Sequence, residues 1–186
     1  SKKDGRAVDT LNQIESGHKR PIPFQIVSRM PMGNGGIRFF DSSDTKRLGL
    51  VSLAQAKLPK GMVAMPYRLS MNGVYDSTTA FDDAKLTGAE FNGLHTLNNG
   101  GSFGLENGVI NVRVGGSDIL PDQYLSILNK QRGIATPIGA FDLPATELIF
   151  DDEEFEVEYK VGKSYTIPDH IIQWNFASDV WCCPSA

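Results

Sequence analysis

The chain has 186 residues, 40% of them hydrophobic, and a net charge of −4. That length suits one domain, the apolar share supplies a core and argues against wholesale disorder, and the charge does not suggest a dedicated nucleic-acid binder. Charge is nevertheless uneven: Lys2, Lys3, Arg6, Lys19 and Arg20 outweigh Asp4, Asp9 and Glu15. Residues 141–160 carry the opposite bias, with Asp142, Glu147, Asp151, Asp152, Glu153, Glu154, Glu156 and Glu158 against Lys160 alone.

Residues 1–20 read as an extended polar arm in which Val8–Ile14 makes one or two helical turns ending at Gly17. Ser1 has the small side chain that initiator-methionine removal tolerates, so a native N-terminus is expected there. Pro21 and Pro23 stop any helix, because proline lacks a backbone donor and restricts the residue before it. Phe24–Met30 reads as a strand, 32–36 as a glycine-rich turn, and Ile37–Asp41 and Leu48–Ala54 as two more strands. Leu58-Pro59-Lys60-Gly61 then leads into a long strand, Met62–Met71, where Pro66 requires an edge position or a bulge.

Residues 72–108 are rich in turn signals, with Asn72-Gly73 and Asn107-Gly108 as hairpin-type pairs. Phe91–Leu97 and Ser102–Leu105 are expected strands joined by 98–101. Ile110, Val112 and Val114 alternate with polar residues and end at Gly115-Gly116, predicting a half-buried strand. Pro121–Gln131 is the expected short helix: Ser117 or Asp118 precedes it, Gly133 follows it, and Tyr124, Leu125 and Leu128 form its apolar stripe. Strands are expected again at Thr146–Phe150, Glu154–Val161, Ser164–Ile167 and Ile171–Phe176.

Over 154–161, Phe155, Val157, Tyr159 and Val161 alternate with Glu154, Glu156, Glu158 and Lys160. A strand sends successive side chains to opposite faces, so this segment predicts one dry face and one acidic face. Ile172, Trp174 and Phe176 repeat the pattern, which assigns Trp174 and Phe176 to the core with Phe155, Val157 and Tyr159. The resulting fold class is all-β, an antiparallel, jelly-roll-like sandwich over 21–181, with the helix near 121–131, the arm at 1–20 and a tail at 182–186.

The three histidines, His18, His95 and His170, are far apart in sequence, and neither zinc-binding spacings nor a nucleophile elbow occurs. Cys182 and Cys183 are adjacent, a geometry that disfavours a bridge between them, so two reduced thiols in a reducing compartment are expected. Asp151, Asp152, Glu153 and Glu154, with Asp142 or Glu147 nearby, are the densest oxygen-ligand cluster and the one candidate calcium site. A solvated acidic turn is nevertheless the expected reading, with no metal site assigned and calcium as its competitor. The abundance of carboxylates, with Trp174 and Trp181 lining a sugar site, is compatible with a paired-carboxylate glycosidase, although the sequence singles out no pair and Trp174 fits the core better. No apolar run approaches the ~20 residues of a membrane span.

The segment Leu58–Gly61 before a long strand, the turn-rich middle, Tyr165–Asp169 before a final strand, and the polar arm ahead of Pro21 together resemble a jelly-roll capsid or vertex protein of a tailless icosahedral phage or related virus. The resemblance implies a self-assembling virion component without catalytic activity or cofactor, assembled in the host cytoplasm. Its partners would be copies of itself and other virion proteins, reached through Lys2, Lys3, Arg6, Lys19 and Arg20 and through the acidic surface 151–158. A carbohydrate- or small-ligand-binding sandwich is the alternative, and a glycosidase the third reading.

Overall fold

The computed structural model describes residues 2–31, 36–75, 92–93, 108–124, 140–143, 147–161 and 170–182, with the backbone alone at 2–3, 31, 72–75, 92–93, 141 and 170–182. In chain order its elements are α1 (Lys2–Glu15), β1 (Arg20–Pro31), β2 (Gly36–Phe39), β3 (Met62–Tyr75), β4 (Asn92–Gly93) and β5 (Val109–Val114). They continue with β6 (Ser117–Tyr124), β7 (Ala140–Asp142), β8 (Ile149–Phe150), β9 (Phe155–Lys160) and β10 (His170–Cys182).

The alternation over 155–160 becomes β9 as expected: Phe155, Val157 and Tyr159 are buried, Glu156 and Glu158 are half-buried, and Lys160 is exposed. Beside it, β5 buries Ile110, Val112 and Val114. These strands form one antiparallel sheet in the order β2-β9-β5-β6. The second sheet runs β1-β10-β3, and the far edge of β3 takes up β8, β7 and β4 in turn.

The pairings are nested. β1 pairs with β10, β2 with β9, β3 with β7 and β8, and β5 with β6. A long hairpin rolled so that successive strands alternate between two sheets gives this pattern, so the sandwich is a jelly roll. Its innermost turn is Gly115-Gly116, whose φ angles of 56° and 84° match the left-handed pair that a two-residue hairpin prefers.

The core fills the space between the sheets with Ile26, Leu69 and Met71 from one side and Ile110, Val112, Phe155, Val157 and Tyr159 from the other. Phe40 packs on Phe155 with ring centroids 5.3 Å apart, in the tilted geometry aromatic pairs favour. Pro66 is accommodated by a bulge: Ala177 pairs with Arg68 and Ser178 with Pro66, leaving Tyr67 as the extra residue. The strand is interior to its sheet, so of the two expected solutions the bulge is the one adopted.

Three expectations are corrected. The helix does not lie at 121–131 as far as that stretch is described. Pro121–Tyr124 belong to β6, where Leu120 pairs with Val112 in the core, and Tyr124, assigned to an apolar helical stripe, is exposed. Closure of the tight Gly115-Gly116 hairpin outweighs the local helix signals, and Pro121 suits an edge strand as well as a first helical turn. Residues 125–131 lie outside the described residues.

The arm is not extended: its expected turns grow into the 14-residue α1. Leu48–Ala54 is not a strand, because Arg47 and Val51 bond each other's backbones at 2.9 and 3.0 Å across a turn at Gly49. The segment crosses β1 only briefly, with Arg29 N–H donating to Leu50 and Ser52 N–H to Val27. At the boundaries, Arg20 and Cys182 pair with each other inside the sheet. Ser102–Leu105, Ser164–Ile167, Cys183 and, apart from β4, Phe91–Leu97 lie outside the described residues, as do the side chains of Trp174, Phe176 and Trp181.

Candidate functional site

The positive segment meets the negative one within a single chain. α1 presents Arg6, Ala7, Thr10 and Ile14 towards the sandwich, positions that share one face at helical spacing. Thr10 is buried and its hydroxyl donates to the Arg6 carbonyl at 2.9 Å. Val8 and Leu11 lie on another face, at 55% and 54% exposure. Gly17, at φ 76°, ends the helix, and its N–H donates to the Ile14 carbonyl at 2.9 Å.

Arg6 is the anchor. Its Nη1 donates to both carboxylate oxygens of Asp152, at 2.8 and 3.0 Å, and Nη2 lies 3.7 Å from Asp151. The guanidinium also sits 3.9 Å from the centroid of the Phe150 ring. An exposed ion pair contributes about 0.2–1 kcal/mol and a cation–π contact at the surface about 0.5–1 kcal/mol, so this clasp is a modest fastening. An open cleft of about 220 Å³ lies along the seam, lined by Arg6, Thr10, Gln13, Lys19, Met62 and Phe150 among others.

The acidic turn itself is built by its own carboxylates. Asp151 Oδ2 accepts the Gly61 N–H at 2.6 Å, and Glu153 Oε2 accepts the Phe150 N–H at 3.0 Å. The Glu153 N–H returns a bond to the Phe150 carbonyl at 3.1 Å, closing the turn. Glu154 lies 3.6 Å from Lys57 Nζ, Glu158 lies 2.9 Å from Lys160 Nζ, and Glu156 stands opposite Arg113 in the β5–β9 register. The four candidate calcium ligands thus face different own-chain partners: Asp151 to Gly61, Asp152 to Arg6, Glu153 to Phe150 and Glu154 to Lys57.

Asp142 does not join them: farther along the same edge of β3 it accepts from Arg68 Nε at 2.7 Å and thereby raises the Arg68 pKa. Among the described residues, no group of three or more His, Cys, Asp or Glu side chains is placed to hold a metal ion. Across the innermost hairpin, Arg113 Nε donates to Asp118 at 2.6 Å and holds that carboxyl below the usual carboxylate range.

Of the basic residues assigned to the arm surface, Arg6 reaches the acidic turn and Lys19 is buried near it, while Arg20 is exposed in β1. The Lys2 and Lys3 side chains lie outside the described set. His18 Nδ1 is 2.8 Å from Ser16 Oγ just past the helix end, and His95 is not described. Two open clefts flank the acidic turn. One, of about 450 Å³, is lined by Lys46, Gln55, Lys57, Leu58, Lys60 and Asp151 among others. The other, of about 500 Å³, lies between Arg6, Lys57 and Arg113 and the carboxylates of Asp152, Glu153, Glu154 and Glu156.

Sequence reasoning missed Phe150, Lys57 and Arg113 as parts of this surface. Each meets this surface through a residue distant in sequence, Phe150 through Arg6, Lys57 through Glu154 and Arg113 opposite Glu156, and none carries a local signal of it. Compared with known protein families, with curated proteins and with solved structures, the chain matches none. Among the described residues no helix is long and apolar enough to cross a membrane.

Proposed function

We propose that the protein is a self-assembling structural component, a virion protein of the capsid or vertex kind. The observation that carries this reading is α1. Arg6 clasps it to the acidic turn of the sandwich through part-exposed ion pairs, and it turns Val8 and Leu11 outward at more than half exposure. A helix held by few apolar contacts and displaying an apolar pair suits contact with a neighbouring subunit. The jelly roll lends support by fold-level analogy alone, since capsid proteins, lectins and cupins all use it.

Size-exclusion chromatography with light scattering tests the reading on the full chain and on a chain lacking residues 1–18. The full chain should form a discrete oligomer or particle, and the shortened one should keep its β-type circular dichroism while shifting towards monomer. A full chain that stays monomeric at every concentration overturns the proposal, and undiminished association of the shortened chain removes α1 from it.

A second reading, a small-ligand-binding sandwich, draws on the cleft of about 450 Å³ beside Lys46, Lys57 and Lys60. That volume is within the range of small-molecule sites. A monomer whose melting temperature rises with a small organic anion, and not with sodium chloride of equal ionic strength, would favour it.

A further inference from the structure

We infer that the turn Phe150–Glu153 is a docking site for α1 of a second copy of this chain, occupied by the chain's own α1 when the subunit is alone. This inference rests on the self-assembly reading and names the surface that serves it. The occupant is specified by the structure itself, because α1 is already seated there. Arg6 fits Asp152, Asp151 and the Phe150 ring together, and every copy carries the same helix and the same turn.

Three features make the seat exchangeable. The fastening is ionic and part-exposed, with Arg6 and Asp152 side chains at 37% and 66% exposure, so water replaces it without leaving a buried orphan charge. An open cleft of about 220 Å³ runs along the seam, so solvent reaches it. The helix lies outside the nested strand pairs, so its release breaks no sheet ladder. An element that detaches without unfolding the body, and whose site recurs on every copy, gives association at little cost in new contacts.

The test uses charge reversal in two full-length chains, Arg6→Asp and Asp152→Arg. Each alone places like charges across its own clasp, Asp against Asp152 in the first and Arg6 against Arg in the second. Mixed, the two chains restore both clasps only by exchanging helices: the first chain's helix fits the second chain's turn, and the reverse pairing is the native one. Native mass spectrometry of the mixture should show a one-to-one species at twice the mass of one chain, absent from either variant alone. A single chain bearing both reversals regains the 6–152 ion pair within itself, without the Asp151 and Phe150 contacts of Arg6, and should fold and associate more like the wild type than either single variant does.

Circular dichroism of each variant checks folding, and Arg6→Glu with Asp152→Lys is the replacement pair if one of the first variants fails to fold. No mixed species at concentrations where the wild type associates overturns the inference and leaves the self-assembly reading standing. A mixed dimer from a protein whose wild type is strictly monomeric sustains the docking site and overturns that reading.

Discussion

Phe155 and Glu156 are neighbours in sequence and lie on opposite faces of β9, the first 1% exposed against Phe40 and the second half-buried beside Arg113. Removing the Phe155 ring leaves a cavity in a close-packed core, which costs about 3–5 kcal/mol for an aromatic-to-alanine change. Glu156→Gln keeps shape and removes a charge from a wet face, a change of within about 0.5 kcal/mol. Urea denaturation of the two variants should separate them by that margin, and equal small effects would contradict the packing. This contrast was legible in the sequence because side-chain direction in a strand is fixed by a period of two. Gly108 was not legible in the same way. Asn107-Gly108 reads as a turn dipeptide, whereas the structure shows a glycine at 108 because a Cβ there would collide with the buried Tyr159 ring.

At the scale of elements, local patterns predicted most strands but not their partners. The nested pairs join residues as far apart as Arg20 and Cys182, and no local signal encodes such a register. Where two local signals conflicted, the tertiary one prevailed, as at Pro121, whose helix-start reading yields to the Gly115-Gly116 hairpin. The described edges are blunted: β1 carries Pro21 and Pro23, β2 has four residues, and β6 has Pro121 with two irregularities in its pairing. Strand addition at these edges is disfavoured. The α1 clasp spans 146 residues of sequence, so the charge asymmetry was visible while its own-chain destination was not. A 14-residue helix is marginal by itself, and here its tertiary support includes the Arg6 clasp and the buried face at Thr10. Hydrogen exchange should therefore show α1 amides opening well before those of β5 and β9, and faster still as salt rises. Protection of α1 equal to that of β9 would show that the helix belongs to the cooperative core.

For the molecule as a whole, the opposed charges of residues 1–20 and 141–160 meet within the chain. Each carboxylate of the acidic turn has a donor or cation of its own. Asp151 serves Gly61 N–H, Asp152 holds Arg6, Glu153 caps Phe150 N–H and Glu154 faces Lys57. Calcium needs six to eight oxygens converging on one point, so binding here would have to break several of these contacts and re-aim their carboxylates. Monovalent salt acts differently: it screens exposed pairs over ~8 Å at physiological ionic strength and loosens the Arg6 clasp without replacing it. The melting temperature should therefore drift slightly down with sodium chloride and follow the same course in calcium chloride of equal ionic strength. If the acidic turn were instead a calcium site, calcium would raise the midpoint in a saturable way that sodium does not reproduce. Parallel thermal titrations decide between the two, and a calcium-specific rise would overturn the assignment of this turn as the seat of α1 alone.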